Sequence, residues 1–497
     1  MNRQRSDQST PAYDLSPVVA LLPPTLAIAL MWATAVNPVT PTAVICAYSM
    51  LQITWVTYML WRTQPDRGLP VFTMVASLYF LYFAMALFWG DRVVVGSNRN
   101  IAIGEESVTE TMEMALLAVV CLFIGANAPI PRSLGARIPN IDRGASSTWV
   151  YLRVVLVVGV LAGFVPSLQG LLGGNGRQIT FILFTTIPSV AFVLLLQRLW
   201  RGTASPVDLP LLICVGSVRI AAGLASGWLG VAISFGVGIV ALYVLTYRRI
   251  PWVAVTITIA SILFLQVGKA AFRSEFWGEG NTNASVWERG QFWLNASYSS
   301  WMDALTGREA MSANELVSKT MRRTSLLTQV AHVLDVTPSQ VPFQDGQTYG
   351  YFVVSLIPRF VWPDKPNVNE ANRFYQLAFG LSDRRSVEAT SISVGSMAEG
   401  YINFGWTGVV TVMFGIGLFL KIYEDTFLRS LSNDLLVAIG IALLFDLFAV
   451  EGQLGQYLGG VMQKILLSFL VFLPVTRIRT RAFAPARFER VAVRVRG

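Results

Sequence analysis

The chain has 497 residues, of which 54% are hydrophobic and 13% are charged, about half the ~25% charged fraction of soluble proteins. A soluble globule of this length could not cover its surface with so few charges, so the composition excludes that class and predicts residence in lipid. The net charge of +9 does not indicate nucleic-acid binding, because most of the excess lies between apolar segments and not on one basic face.

About twelve apolar runs have the ~17–25 residues needed to cross a hydrocarbon core of about 30 Å. One interval, 270–400, lacks such a run and mixes aromatic, charged, Pro and Gly residues, which predicts a large, mainly helical, water-facing loop. The fold class is therefore an all-α polytopic membrane protein. Its predicted parts are 1–269 with about nine spans, the loop 270–400, three spans in 401–475 and a basic tail, 476–497. The predicted spans are 17–35, 41–61, 70–89, 112–129, 148–166, 179–197, 207–224, 228–247, 251–269, 402–421, 434–450 and 456–475.

Lysine and arginine are distributed unevenly between the two sides of these spans. With the N-terminus inside, the cytoplasmic connectors and the tail hold about 21 cationic residues. The short connectors on the opposite side hold Arg92, Arg99 and Arg177. The positive-inside rule thus predicts cytoplasmic termini and a large loop that faces the periplasm or exterior.

Several familiar chemistries are excluded by the motifs that the sequence lacks. It has no Walker A loop, HExxH or GxSxG pattern, which removes ATP-driven transport, zinc proteolysis and serine hydrolysis of the usual kinds. Cys46, Cys121 and Cys214 lie inside apolar runs without CxxC spacing, so no disulfide framework or thiolate metal site is predicted.

Arg219 lies inside the predicted span 207–224, toward its outer end. A cation there costs about 2.5–3.5 kcal/mol on insertion scales unless it faces protein or a water-filled cavity. We therefore expect Arg219 to face a cavity, with snorkelling to the interface as the alternative. Asp446 and Glu451, near the outer end of the span 434–450, are candidates to border the same cavity.

The most informative stretch, 337–367, reads TPSQVPFQDGQTYGYFVVSLIPRFVWPDKPN. Its core, IPRFVWPDKP, contains three prolines that stiffen the backbone around Arg359, Lys365 and an indole ring. Rigid cations beside an aromatic ring suit an anionic, partly apolar ligand. A second stretch, SISVGSMAEGYINFGWTG at 391–408, leads into the next span.

Together these stretches resemble the Wzy-type polymerases of bacterial O-antigen and exopolysaccharide repeat units. The resemblance rests on IPRxxWPDKP after a TP…VP…GxTY lead, and on the GxxxExYxNFGxxG entry into a late helix. It implies a metal-independent, GT-C type glycosyltransferase of the bacterial inner membrane that acts on undecaprenyl-diphosphate-linked oligosaccharides at the periplasmic face. The growing glycan would leave its lipid diphosphate and join the lipid-linked acceptor repeat. No cofactor is expected, and membrane lipid and a chain-length regulator are candidate partners.

Fixed cations fit that chemistry. A diphosphate leaving group accumulates negative charge, which a divalent metal or preorganised cations must stabilise. The sequence has no Asp-x-Asp pair, whereas planar arginine side chains match phosphate oxygens. Salt bridges to loop carboxylates are the structural alternative for each cation. The predicted substrate-binding cations are Arg177, Arg219, Arg359, Lys365, Arg373, Arg384 and Arg385.

An acceptor hydroxyl needs a group that takes its proton. Glu399 stands where the loop re-enters the membrane, next to Tyr401 and Asn403, and is the first candidate for a base or for orienting the acceptor. The alternative is that its charge complements a helix dipole. His332, the lone histidine, is the second candidate, and it cannot complete a zinc site with the cysteines.

Two other classes share these sequence features. An O-antigen ligase would join the glycan to a lipid core acceptor, and a transporter or flippase would use a cationic cavity without forming a bond. The inverted repeats of many transporters are not visible in the sequence, and the single dominant loop is asymmetric. The polymerase is therefore the leading hypothesis.

Overall fold

The computed structural model describes residues 17–64, 68–97, 100–130, 138–163, 173–227, 229–277, 284–306, 325–357, 359, 361–367, 369–388, 391–429 and 432–477. Over these residues the chain is mostly helical and includes two short two-stranded sheets. Eight of the described helices are long and apolar enough to cross a membrane, and three further apolar helices are shorter. The protein is thus an all-α membrane protein, as its composition predicts.

We number the elements in chain order. The helices are α1 Pro17–Ala33, α2 Pro41–Thr63, α3 Val71–Trp89, α4 Glu105–Ala126, α5 Ser146–Ala162, α6 Gly173–Trp200, α7 Asp208–Ala225, α8 Leu229–Tyr247, α9 Trp252–Phe276, α10 Val286–Thr306, α11 Leu327–Val336, α12 Gly350–Leu356, α13 Glu370–Ala378, α14 Gly395–Tyr423, α15 Asp434–Ala442 and α16 Leu454–Phe472. The strands are β1 Val93–Val95, β2 Asn100–Ala102, β3 Asn140–Ile141 and β4 Thr476–Arg477, with β1 pairing β2 and β3 pairing β4, both antiparallel.

The segment 434–450 does not form the continuous spanning helix that its apolar run predicts. α15 has nine residues, which is about 14 Å at ~1.5 Å per residue and less than half of a ~30 Å hydrocarbon core. A 3-10 helix, Leu444–Phe448, and a turn at 449–453 follow before α16 begins. Hydropathy cannot reveal this ending, because the residues stay apolar while the backbone leaves the α-helical ladder.

The first part of the predicted outer loop packs on the membrane block. α10 runs along α9, where the indole N–H of Trp293 donates to the Leu265 carbonyl at 2.8 Å and that of Trp301 donates to the Phe264 carbonyl at 3.3 Å. A small hydrophobic cluster of Trp293 with Phe272 and other apolar residues completes this contact. The indoles thereby place α10 beside the middle of a candidate span.

One end of the bundle is held by two buried aspartates, each bound by two arginines. The pairs are Arg143 and Arg201 with Asp434, both at 2.6 Å, and Arg153 and Arg198 with Asp208, at 2.8 and 3.1 Å. Arg198 and Arg201 lie one turn apart at the end of α6, so the two clusters are neighbours. The charge distribution counts all four arginines among the cations of the predicted cytoplasmic side.

α14 is the central helix of the site region, and close backbone contact fixes it against α4. Gly125 of α4 and Gly417 of α14 face each other, and a Cβ at either position would lie within 3.0 Å of backbone atoms of the other helix. Small residues at such a contact let two membrane helices approach closely.

α14 is broken at Phe404 and Gly405. Phe404 has φ −138° and ψ 19°, and Gly405 has φ 60° and ψ −146°, a combination that is essentially restricted to glycine. The segment therefore consists of two helices that meet at an interruption and do not form one straight rod. Because buried backbone groups must be satisfied, an interruption next to the buried Asn403 and Gly405 requires new hydrogen-bond partners.

The loop at 344–346 supplies those partners. The backbone N–H of Gln344 donates to the Ile402 carbonyl at 3.0 Å, and that of Asp345 donates to the Asn403 carbonyl at 3.2 Å. The N–H of Gly346 donates to the Asn403 side-chain oxygen at 3.0 Å. The break is thus a built feature, held by a segment that precedes the IPRxxWPDKP motif.

The conformation of Gly405 gives a direct test of the break. A Gly405→Ala variant is expected to lose about 1–3 kcal/mol of stability, because an L side chain is strained at this φ and ψ. Gly415→Ala, farther along α14 where the surrounding space is open, is the matched control and is expected to gain up to about 1 kcal/mol from helix propensity. Thermal unfolding of the purified protein in detergent would measure both changes. Equal stability of the two variants would contradict the proposed role of the break.

Candidate functional site

A polar cavity of about 330 Å³ lies beside the turn that joins α15 to α16. Its volume is at the lower end of the ~300–1,000 Å³ range of small-molecule sites. Three segments form its wall: the stretch before α14, the turn with the 3-10 helix before it, and the first half of α16. The lining residues are Ser391, Ser393, Asp446, Ala449, Glu451, Gly452, Gln456, Tyr457, Gly460, Val461 and Lys464.

An ion pair crosses one side of this cavity. The ammonium of Lys464 lies 2.7 Å from Oδ1 of Asp446, and their side chains are 19% and 31% exposed. Lys464 lies within the apolar window of α16, a candidate span. Charged side chains inside membrane helices are costly and characteristically line functional cavities or pair with one another, and these two do both.

The turn at 449–453 is fixed by side chains of the first half of α14 and of the stretch just before it. Ser396 donates to the Gly452 carbonyl at 2.8 Å, and the hydroxyl of Ser393 bonds the Glu451 carbonyl. The carboxylate of Glu399 accepts from the N–H of Leu454, the first residue of α16, at 2.7 Å. An anion at a helix N-terminus satisfies an orphan donor and complements the dipole. Glu399 thus holds the start of α16, and it is not among the residues that line the cavity.

α13 anchors the other wall. The side-chain amide of Asn372 donates to the Ile392 carbonyl at 2.8 Å, and Ser391 donates to the Asn372 side-chain oxygen at 3.2 Å. Gln456 of α16 donates to the side-chain oxygen of Asn369 at 2.8 Å. The segment 391–393 is therefore tied both to α13 and, through the turn, to α16.

The two cations of the IPRxxWPDKP motif bind main-chain carbonyls of the chain itself. Arg359 donates to the carbonyls of Pro363 and Lys365, at 3.3 and 3.0 Å. Lys365, which is 4% exposed, donates to the carbonyls of Val354 and Ile357 at the end of α12, at 3.1 and 2.7 Å. Burial and the neighbouring charge of Arg359 lower the pKa of Lys365. Both cations therefore stabilise a compact loop and the C-terminus of α12.

This loop matters to the cavity because α12 packs on α16. Gly455 and Gly459 of α16 face α12, and a Cβ on Gly455 would lie 3.2 Å from the Phe352 nitrogen. Gln463 of α16 bonds the Ser355 carbonyl. The motif thus braces the helix that carries Lys464. The proline and phenylalanine at positions 358 and 360 of the motif lie outside the described residues.

The other predicted loop arginines differ in exposure. Arg373 pairs with Glu370 at 3.0 Å on α13. Arg384 and Arg385 are exposed, and no residue in the described part of the chain accepts a hydrogen bond from either guanidinium. They follow Asp383, whose pKa is lowered by hydrogen bonds from Ser386 and from the Arg385 backbone. The side chain of the predicted Arg177 lies outside the described residues.

Arg219 of α7 binds a carbonyl that a proline frees. Pro188 lies inside α6, and since it lacks an N–H it cannot donate to the carbonyl of Phe184, four residues earlier. Arg219 donates to the Phe184 carbonyl at 3.2 Å and to the Thr185 carbonyl at 3.3 Å. This contact accounts for a cation within a candidate span, because the guanidinium faces protein carbonyls. Arg219 is not among the residues that line the cavity beside the α15–α16 turn, so the cavity-facing role expected from the sequence stays a prediction.

The remaining predicted residues lie in the packed interior. Nε2 of His332 lies 3.0 Å from the Phe379 carbonyl, and the Tyr401 hydroxyl lies 3.5 Å from the Thr337 carbonyl. The amide of Asn403 donates to the Thr348 hydroxyl at 2.7 Å and to the Glu399 carbonyl at 2.8 Å. Asn403 thus secures the break in α14, and none of these three side chains lines the cavity.

The sequence reasoning located part of the cavity and missed the rest. Asp446 and Glu451 were expected to border the same cavity as Arg219; both line the cavity described here, whereas Arg219 does not. Lys464, Gln456 and the two serines were not predicted. The available signal was a lysine within the apolar run 456–475, since an ionisable residue inside a span indicates a functional site with a partner of opposite charge.

The fold and the site define a polytopic all-α membrane protein in which a charged cavity lies where helices are interrupted. A family model described as Domain of unknown function (DUF8712) matches residues 182–446, just over half of the chain, and the chain belongs to that family. The match extends from α6 through the broken α14 to Asp446. No curated protein and no solved structure matches the chain.

The contact between Arg219 and the proline-freed carbonyl can be measured as a coupling energy. Arg219→Met is expected to cost about 1–3 kcal/mol, because the buried carbonyl of Phe184 loses its donor. Pro188→Ala restores a backbone N–H at that position, so the double variant should lose less than the sum by about 1 kcal/mol. Denaturation of the purified protein in detergent would measure the cycle.

Pro210 provides the matched control, because it lies in the first turn of α7, where backbone N–H groups have no helical partner. Arg219→Met and Pro210→Ala should therefore be additive within about 0.5 kcal/mol. If the stability losses of Arg219→Met and Pro188→Ala were additive as well, Arg219 would not replace the hydrogen bond that Pro188 cannot form.

Proposed function

We propose that the protein is a glycosyltransferase that polymerises undecaprenyl-diphosphate-linked oligosaccharide repeat units at the periplasmic face of a bacterial inner membrane. The observation that carries this proposal is the charged, hydroxyl-lined cavity beside the turn that joins α15 to α16. Ser391 and Ser393 of its wall follow the exposed Arg384 and Arg385 in the chain by a few residues. The resemblance of the stretches 337–367 and 391–408 to Wzy-type polymerases includes Ser391 and Ser393 of the cavity wall. A reaction between lipid-linked glycans needs a site that meets both lipid and water, and a cavity at interrupted membrane helices suits that need.

The proposed orientation has the aspartate–arginine clusters in the cytoplasm. α15 starts at the Asp434 cluster. β4 follows α16 and pairs with β3, which lies beside the same cluster. The turn at 449–453 lies at the far end of this hairpin, so the cavity would face the periplasm. The excess of cations in the connectors at the cluster end supports the same assignment. Twelve membrane passages follow if the α15 segment, with its 3-10 continuation, counts as one.

The contacts separate the predicted cations into two groups with different proposed roles. Arg359, Lys365 and Arg219 are engaged with carbonyls, so in this proposal they hold the site in shape. Arg384 and Arg385 are free to approach a solvent-exposed diphosphate, with Arg373 nearby in the chain. Two guanidinium groups could stabilise the leaving group without a divalent metal, since arginine forks bind phosphate oxygens bidentately. The glycan donor and acceptor, membrane lipid and a chain-length regulator are the proposed partners.

A transporter is the second candidate, and the Asp446–Lys464 pair is the observation that favours it. Intramembrane ion pairs and discontinuous helices are features of secondary transporters, where they bind the substrate or the coupling ion. A transporter would move a lipid-linked glycan without lengthening it. Chain growth in a purified system therefore separates the two functions, and a ligase would give single transfer to a lipid core without a ladder.

The test of the proposed function is polymer formation by purified protein in lipid vesicles that contain the lipid-linked repeat units of the source cells. The parent protein should form a ladder in excess chelator. Changing Arg384 and Arg385 together to Ala should lower the rate about 10²–10³-fold, by analogy with the loss of a preorganised charge-stabilising donor. Folded yield should not change, because both side chains are exposed. Lys at both positions should restore part of the rate, since charge is kept and the bidentate fork is lost.

Arg477→Ala is the matched control, because Arg477 is 79% exposed and lies at the cluster end, where it pairs with Asp142 at 3.4 Å. It should leave the ladder unchanged. No ladder from the parent protein would refute the polymerase, and a normal ladder from the Arg384 and Arg385 double variant would refute their proposed role. Loss of the ladder in chelator with recovery in magnesium would refute the metal-independent mechanism.

A further inference from the structure

The hydrogen-bond donors that line the cavity are largely used within the protein. Ser391 donates to Asn372, and Ser393 to the Glu451 carbonyl. Gln456 donates to Asn369 at 2.8 Å and Tyr457 to the Leu447 carbonyl at 3.1 Å. These hydroxyl and amide groups are therefore available to a ligand mainly as hydrogen-bond acceptors, because a hydroxyl whose O–H is already used in a hydrogen bond can still accept one.

Carboxylates add to this excess of acceptors. Lys464 occupies Oδ1 of Asp446 and leaves Oδ2 without a contact to the ammonium. The side chain of Glu451 is exposed at the cavity wall and provides two further oxygens. An ionised carboxylate accepts hydrogen bonds and donates none. A ligand that satisfies this cavity must consequently offer several donors.

The charges around the cavity are balanced. Asp446 and Glu451 bring two negative charges and Lys464 one positive charge. Lys269, two turns before the end of α9, is close enough for its charge to act on Glu451. Two anions and two cations leave no surplus of positive charge that could balance a diphosphate. The cavity thus favours a neutral ligand over an anionic one.

Apolar groups complete the wall. The ring of Tyr457 and the side chains of Ala449 and Val461 border the same space. A sugar ring has hydroxyl groups at its edge and C–H groups on its faces, so it matches a wall with acceptors on one side and apolar surface on the other. A volume of about 330 Å³ accommodates a ligand of this kind.

We propose that this cavity is a subsite for a neutral, hydroxyl-rich sugar, and that the lipid diphosphate stays outside it. Glu451 and Asp446 accept hydrogen bonds from sugar hydroxyls, and Tyr457 packs against a C–H face of the ring. The identity of the sugar as part of a lipid-linked repeat rests on the proposed function, whereas its binding in the cavity is measured separately from polymer formation.

Protection of an introduced cysteine provides the test. Cys46 and Cys121 are buried and Cys214 is exposed, so a Cys214→Ser background allows Ser391→Cys to report on the cavity wall. The rate of alkylation by a water-soluble maleimide is measured for the full chain in lipid nanodiscs. Three probes are compared: lipid-linked oligosaccharide extracted from the source cells, the same oligosaccharide released by mild acid, and undecaprenyl diphosphate. Ser393→Cys serves as a second reporter and guards against a folding defect in the first.

Both glycan probes should slow alkylation about tenfold at a concentration tenfold above their Kd, by simple occupancy. Undecaprenyl diphosphate should leave the rate unchanged. Adding Glu451→Ala should abolish the protection by the free oligosaccharide, whereas Glu275→Ala, which removes an exposed carboxylate at the end of α9, should preserve it. Glu451→Gln should retain part of the protection, because its amide oxygen still accepts.

Protection by undecaprenyl diphosphate equal to that by the glycans would overturn the proposal, and so would full protection in Glu451→Ala. The polymer assay reports independently on the proposed function. A parent protein that forms a ladder without glycan protection of either cysteine would refute the subsite and leave the polymerase standing. Glycan protection without a ladder would refute the polymerase and support the subsite.

Discussion

The architecture of the site depends on the interruption of α14 at Phe404 and Gly405. A helix that continued straight would keep its carbonyls in its own ladder, and the loop at 344–346 would have no partner. Because Gly405 adopts φ 60° and ψ −146°, the carbonyls of Ile402 and Asn403 bind that loop. The first half of α14 is thereby set at the place where Ser396 and Glu399 reach the turn at 449–453. The cavity lies between the stretch before α14, the turn at 449–453 with the 3-10 helix before it, and the first half of α16.

The same constraint explains the positions of the cations. In an apolar environment an unpaired carbonyl is costly, so the chain satisfies it from a nearby side chain. Arg219 serves the carbonyl freed by Pro188, and Lys365 serves the end of α12. A sequence pattern of prolines beside cations is compatible with two roles: the cations bind an anionic ligand, or they bind carbonyls of the chain itself. Both roles need a rigid backbone near a positive charge. Contacts alone distinguish them, and they assign Arg359 and Lys365 to the loop.

Features of this fold that depend on one local property of the sequence could be predicted. Features that form only where several distant segments come into contact could not. Apolar length alone identifies helices such as α4 and α9, and the place of Asp446 near the outer end of a predicted span made it a candidate to border a cavity. The sequence could not show that Lys464, eighteen positions later, pairs with Asp446, since that requires the turn at 449–453. Nor could it assign Glu399 to the N-terminus of α16, because that bond joins residues 55 positions apart. The end of α15 after nine residues is hidden for a different reason, because the residues that follow it stay apolar.

The most direct measurement is an electron cryomicroscopy structure of the full chain in lipid nanodiscs with lipid-linked oligosaccharide from the source cells. The account predicts sugar density between Tyr457 and the Asp446–Lys464 pair, with the diphosphate outside the cavity and α14 still broken at Gly405. Sugar density elsewhere on the protein, with solvent alone in this cavity, would contradict it.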